Sequence, residues 1–254
     1  MKYLFGLVAL LFVPIDTSAG FVDRAIEMDG ESYSYTVFVP SEWTADKQWP
    51  VVLFLHGAGE RGSDGTGPLK IGLPARIREL GDFPAVVVMP QCRERMWWGD
   101  PAMEAQTFEA LERSIEEFNG DPERVYLTGL SLGGYGVWAF GYKYPDRFAA
   151  LAPVCGGVMP NRSIAPPDWH PASIAPNDPY TETARRVSAP VWIFHGDADR
   201  RVPVTESRKL AAALEAAGKS VRYTEYTGVG HDSWDRAYWE EELVPWLLSY
   251  RRGE

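Results

Sequence analysis

The stretch that decides the fold is Val125-Tyr126-Leu127-Thr128-Gly129-Leu130-Ser131-Leu132-Gly133-Gly134. Val125 to Thr128 is a short β-prone run, and Leu132 to Tyr144 reads as a helix that stops before Pro145, as a helix must. Between them Gly129 to Gly133 fits G-x-S-x-G. A sharp turn from strand to helix forces its central residue into a strained backbone conformation. Small residues on either side let the chain close up and leave the serine hydroxyl exposed. So short a pattern also arises by chance in glycine-rich turns. The strand before it and the helix after it make Ser131 a candidate nucleophile.

Working outward, the same alternation recurs. Val51 to Leu55, Ala85 to Met89, Leu151 to Val154, Val191 to Phe194 and Val221 to Tyr226 are nearly continuous apolar or β-prone runs, as in strands buried on both faces. Tyr33 to Pro40 alternates instead, as a half-exposed edge strand does. Helices are expected over Met103 to Asn119, Thr205 to Ala217 and Arg236 to Tyr250. Strands alternating with helices predict an α/β fold with a mostly parallel central sheet and helices on both faces. Gly156 to Ser188 breaks the alternation with six prolines and little periodicity. A loop that long is a candidate lid or binding loop.

Composition narrows the function. The net charge is −10 and no basic run exceeds two residues, so neither nucleic acid nor an anionic membrane is expected as partner. Ten Trp, twelve Tyr and eleven Phe supply aromatic walls for an apolar ligand, although most of these rings belong to the core. Met1 to Ala19 resembles a secretory signal: Lys2 starts it, Tyr3 to Val13 is apolar, and Thr17-Ser18-Ala19 offers small cleavage residues. Residues 20–254 are then expected to form one catalytic domain, secreted or periplasmic. Cys92 and Cys155 follow two separate strand runs. If those strands are not neighbours, the cysteines lie too far apart to bridge, so no disulfide is expected.

A serine hydroxyl needs a base to take its proton. There are four histidines. His56 and His195 sit at strand ends and read as braces for the following loops, while His170 lies between Trp169 and Pro171 in the proline-rich stretch. His231, in Gly228-Val229-Gly230-His231, follows the last strand on a glycine-containing loop able to swing over the sheet. It is the expected base. A carboxylate must fix its tautomer, and the chain order in such hydrolases is nucleophile, acid, histidine. Asp197 and Asp199, just after the run Val191 to Phe194, both qualify by position.

Four motifs in order, His56-Gly57-Ala58-Gly59-Glu60-Arg61-Gly62, Gly129 to Gly134, His195 to Pro203 and Gly230 to Trp234, make the chain resemble the dienelactone hydrolase, phospholipase and carboxylesterase group of α/β-hydrolases. Within that group it is similar to the branch described as predicted peptidases or esterase-type polyester depolymerases, over Tyr33 to Arg251. The resemblance implies an α/β-hydrolase fold. It also selects Asp199, the fifth residue of H-G-x-x-D-x-x-V-P, over Asp197. Two departures matter. Dienelactone hydrolases proper use Cys where this chain has Ser131. Prolyl-oligopeptidase relatives carry a gating propeller, for which no room is expected here, so ester hydrolysis is favoured over peptide hydrolysis.

The oxyanion of acyl transfer needs preorganised N–H donors. Leu132 supplies one at the helix N-terminus, where the helix dipole assists. The second is expected from the His56 to Gly59 loop, and the resemblance points to Ala58. Among the aromatics, Trp97 and Trp98 follow a strand end, where ligands bind in such sheets. Trp98, Tyr135 and Trp234 are the expected substrate contacts. The sequence thus predicts a serine carboxylesterase acting on a small-molecule ester through an acyl-enzyme, with no metal and no organic cofactor. A feruloyl or acetyl esterase working on plant polysaccharide is the alternative. A non-catalytic binding relative would be expected to lack one of the three residues, and all three are present.

Overall fold

The computed structural model describes residues 19–159 and 166–253. Nearly all of the expected signal segment lies outside the described residues. Eight strands, β1 (Gly20–Met28), β2 (Glu31–Val39), β3 (Trp49–Leu55), β4 (Val86–Pro90), β5 (Gly120–Leu130), β6 (Ala150–Val154), β7 (Val191–Gly196) and β8 (Val221–Tyr226), form one sheet. Their order is β1-β2-β4-β3-β5-β6-β7-β8. β2 runs antiparallel to both its neighbours, and the ladders from β4 to β8 are parallel. This is the mostly parallel α/β sheet expected.

The helices are α1 (Leu73–Leu80), α2 (Pro101–Glu117), α3 (Leu132–Lys143), α4 (Pro171–Ile174), α5 (Pro179–Arg186), α6 (Thr205–Ala216), α7 (Trp234–Ala237) and α8 (Leu243–Leu248). They cover both faces because strand side chains alternate. Val51, Leu53 and Leu55 of β3 join a core with Leu111 of α2, Val137 and Phe140 of α3 and Leu210 and Leu214 of α6. Val52 and Phe54 point the other way and pack with Leu73 and Ile77 of α1 and Leu243 and Leu247 of α8. All seven residues of β3 are buried. At about 25 cal/mol per Å² of apolar surface removed from water, these two cores are the main source of stability.

Three expectations need correcting. Tyr33 to Pro40 is not an edge: β2 is flanked on both sides, and β1 covers the outer one. The alternation of residue types is not matched by burial, since Tyr33 and Ser34 are both half-buried and everything from Tyr35 to Val39 is buried. β1 itself escapes a sequence reading because Asp23, Arg24 and Glu27 interrupt its apolar residues. The single helix expected over Arg236 to Tyr250 is two short ones, α7 and α8. Pro245 has no N–H to give and its ring would collide with the carbonyl four residues back, so it is tolerated only in the first turn of a new helix. Gly156 to Ser188 is not wholly loop, for it contains α4 and α5, each begun by a proline at the first helical position. Cys92 and Cys155 are free and buried, beyond the ends of β4 and β6 with β3 and β5 between them.

One packing constraint joins the two central elements. A Cβ built on Gly133 in the first turn of α3 would stand 1.9 Å from the Leu55 carbonyl oxygen of β3. That obstacle is main chain in the middle of the sheet and cannot step aside. Gly133→Ala is therefore expected to cost about 3 kcal/mol or more, read as a drop in the urea midpoint at unchanged slope. A midpoint within error of the parent would show that α3 can lift off β3 freely.

Candidate active site

Ser131 is the residue between β5 and α3, and its backbone is strained: φ is 54° and ψ is −114°. Non-glycine residues in such regions cost about 1–3 kcal/mol and persist only where the surroundings enforce them. Here they do. The Ser131 N–H donates to the Val154 carbonyl at 3.0 Å, pinning the elbow to β6. On the other side, a Cβ on Gly129 would meet the Leu55 carbonyl oxygen at 2.7 Å, so β3 presses against the turn. The chain can pass only with glycine there, and the serine side chain is left facing outward.

His231 Nε2 lies 2.8 Å from Ser131 Oγ, and His231 Nδ1 lies 2.7 Å from Asp199 Oδ2. The three residues come from loops after β5, β8 and β7. Asp199 has no exposed side-chain surface. Burial alone would push its pKa up. Hydrogen bonds from His195, His231 and the N–H groups of Val202 and Arg201 outweigh that and hold the carboxyl well below the usual carboxylate range. With Asp199 ionised, the hydrogen-bond network assigns the proton of His231 to Nδ1, which donates to Asp199. Nε2 is then free to accept from Ser131 Oγ–H.

His195 holds this acid in place. Its Nε2 lies 3.2 Å from Asp199 Oδ2 and 3.1 Å from the Val202 carbonyl, and its Nδ1 lies 2.7 Å from Ser207 Oγ. Asp197 serves elsewhere: its Oδ1 accepts the Gly228 N–H at 2.7 Å and ties the β7 loop to the β8 loop. His56 is fully buried, and burial takes its pKa down to about 4. Burial does the same to His170, also to about 4. Both are neutral imidazoles at neutral pH.

A cavity of about 410 Å³ opens beside Ser131 and His231, walled by Gly57 to Glu60, Ile71, Arg201 and Trp234. Ala58 is exposed at its rim, and Leu132 starts α3. Among the hydrogen bonds of the described residues, neither Ala58 N–H nor Leu132 N–H is a donor. The loop bearing Ala58 must pass close to the serine, since a Cβ on Gly57 would reach 3.6 Å from Ser131 Cβ.

The aromatic expectations divide. Trp234 lines this cavity and stands edge-on to His231, ring centroids 5.5 Å apart. Trp98 does not reach it. Trp98 is fully buried, donates Nε1–H to the His56 carbonyl at 3.1 Å, and packs where Gly136 lets α3 approach. A strand-end tryptophan could face either way, and the indole N–H found its acceptor inside. Tyr135 sits one turn beyond Ser131 on α3, half-buried, away from the residues that wall the cavity. Ile71 and Glu60 were missed as wall residues. The Glu60 signal was present, since it stands inside the quoted His56 to Gly62 motif. A second cavity of about 400 Å³, lined by Tyr33, Arg93 and Met96, contains none of these groups.

Cys155 Sγ, a carboxylate oxygen of Asp199 and a ring nitrogen of His231 all lie within 4.8 Å of one another. This is the one such donor group among the described residues. The Asp199 and His231 atoms already bind each other, and burial keeps the Cys155 thiol protonated by pushing its pKa well up. No helix among the described residues is long and apolar enough to cross a membrane.

The sequence model of the prolyl oligopeptidase family matches residues 98–253. An uncharacterized secreted protein of Arthroderma benhamiae is 26% identical over 231 residues, covering 80% of this chain and 24% of its own length. Carboxylesterase SOBER1 of Arabidopsis thaliana is 25% identical over 207 residues, covering 71% of this chain and 82% of its own. A thermostable esterase of known structure superposes with a TM-score of 0.73 at 30% identity, over 91% of this chain and 63% of that one. The chain spans between 24% and 33% of the length of the first curated relatives it matches. The chain has an α/β-hydrolase fold.

Burial also fixes the chemistry of the two cysteines. It pushes the Cys92 thiol up to about 12 and Cys155 higher still. At about pH 8 neither is a thiolate. An aromatic disulfide titrant should therefore give no signal with the folded protein and react with both thiols in guanidinium chloride. Fast reaction of either in the native state would contradict this.

Proposed function

The chain belongs to the prolyl oligopeptidase family of α/β-hydrolases, and from that premise we propose that it is a carboxylesterase with Ser131, His231 and Asp199 as its catalytic residues. The observation that carries this reading is the continuous hydrogen-bond chain from Ser131 Oγ through both nitrogens of His231 to Asp199, at 2.8 and 2.7 Å, on the wall of an open cavity. A family named for peptidases leaves ester and amide bonds both open. Ester is favoured by the thermostable esterase at 30% identity and by the carboxylesterase relative.

In the proposed mechanism, His231 Nε2 takes the Ser131 proton as Oγ attacks the ester carbonyl. Negative charge grows on the carbonyl oxygen, and the N–H groups of Ala58 and Leu132 receive it. Asp199 stabilises the imidazolium and stays ionised throughout. The C–O bond to the alcohol breaks, and His231 returns its proton to the departing oxygen. A water molecule, deprotonated by His231, then attacks the acyl-Ser131 ester and releases the acid, restoring the serine. Trp234, edge-on to His231, is assigned to the substrate-facing wall. The proposed setting is outside the cytoplasm, following Met1 to Ala19, in keeping with the secreted relative. The proposed substrate is a small-molecule ester.

With p-nitrophenyl butyrate as substrate, Ser131→Ala should lose about 10³-fold or more in kcat, and Asp199→Asn about 10³- to 10⁴-fold. Retained turnover in Ser131→Ala would end the proposal. Methyl ferulate and a peptide p-nitroanilide belong in the same assay. Faster hydrolysis of the anilide than of any ester would assign the chain to peptide chemistry, and a clear preference for methyl ferulate would move the substrate to phenolic esters.

A further inference from the structure

The proposed mechanism leaves one buried carboxylate unused. Glu206, the second residue of α6, is 8% exposed. Its Oε2 accepts the N–H groups of Val158 at 3.0 Å and Met159 at 3.1 Å, and its Oε1 accepts the Tyr180 hydroxyl at 2.6 Å. Gly157 is pressed against the same group, since a Cβ there would stand 2.5 Å from Oε2. One carboxylate therefore fastens three separate pieces of chain: α6, the segment leaving β6, and α5, which carries Tyr180.

The place of this fastening is the second point. In the sheet β5 lies between β3 and β6. The loop after β3 brings Ala58 to one flank of Ser131, so the segment after β6 borders the other. Contacts bear this out. Val154 accepts the Ser131 N–H, and a Cβ on Gly134 in α3 would touch the Gly156 α-carbon at 2.8 Å. Tyr135 stands one turn above Ser131. Burial first, and then the charges of Glu206 and Asp199, push its phenol pKa up.

We propose that Glu206 is a positioning residue that ties the chain leaving β6, Gly157 to Met159, to α5 and α6 just beyond the Gly156 contact with α3, and so sets how the acyl part of the ester is seated. It touches no reacting atom. A buried carboxylate suits the task because it can accept on both oxygens at once, and charge-assisted bonds to N–H and O–H are the stronger kind. A glutamine offers one accepting oxygen and an NH₂ group that only donates. With its oxygen on the two backbone N–H groups, it would turn its NH₂ to Tyr180, whose hydroxyl would have to reverse and accept, and no bond would keep the carboxylate's charge. The inference rests on Ser131 being the nucleophile of an esterase, so its test must also read out when ester turnover is absent.

Kinetics on p-nitrophenyl esters of increasing acyl length would be compared for the parent, Glu206→Gln and Tyr180→Phe, alongside labelling of Ser131 by short- and long-chain fluorophosphonates. Glu206→Gln should raise KM about tenfold or more for the longer acyl chains with kcat within about threefold. Tyr180→Phe, which removes one bond and little volume, should shift KM in the same sense by less. Short-probe labelling should stay within about twofold of the parent while the long-to-short ratio changes. An unchanged dependence of KM on acyl length, or labelling, kcat and KM falling together in both variants, would overturn the proposal. If Glu206→Gln does not fold, Tyr180→Phe decides by the same criteria. If the parent turns over no ester, the esterase reading fails, and the labelling ratio in Glu206→Gln still decides for or against the clamp.

Discussion

The α-carbon of Gly133 lies so near the Leu55 carbonyl oxygen that no side chain fits between them, and the rest of the site is arranged around that contact. It seats α3 directly on the end of β3. The turn before α3 must then be as tight as a chain can make, which throws Ser131 into a positive φ. The strain is local, and it is held by two apolar cores on either face of the sheet. Without that clamp the serine would relax into a common turn and its hydroxyl would no longer meet His231.

Around the elbow, hydrogen-bond support thins from Asp199 to His231 to the cavity wall. Asp199 is fixed most firmly, with four hydrogen-bond donors on a carboxylate that water does not reach. His195 and Ser207 extend that support into α6. His231 keeps some exposure and one aromatic neighbour. The cavity wall at Ala58 and Trp234 is the open part. In the proposed mechanism, a fixed Asp199 and an oriented His231 are what general base catalysis by an imidazole requires. The same α6 also carries Glu206, so the helix behind the acid is fastened to the chain leaving β6.

The aromatic residues show where residue type alone misleads. Trp98, Tyr135 and Trp234 all stand near the motifs that build the site, yet only Trp234 walls the cavity. A buried indole N–H usually finds an acceptor, and for Trp98 the His56 carbonyl supplies it inside the protein. Proximity in sequence to a strand end does not say which face of the loop a ring will take. The edge strand was misjudged for a related reason. Alternation in Tyr33 to Pro40 says nothing of what lies beside the strand, and only the pairing with β1 shows that its edge is covered.

Sequence alone determined the strand–turn–helix at Ser131, the mostly parallel character of the sheet, and the singling out of His231. Those follow from local rules: hydrophobic periodicity, the stop at proline, and glycine where backbones must close. Choosing between Asp197 and Asp199 by position was beyond it, because two carboxylates two residues apart share the same local surroundings. Tertiary structure separates them, turning Asp199 inward to His231 and His195 and Asp197 outward to the Gly228 N–H. It alone decided the fate of Trp98, the break between α7 and α8, and the junction at Glu206, because each depends on which distant backbone atom supplies the partner.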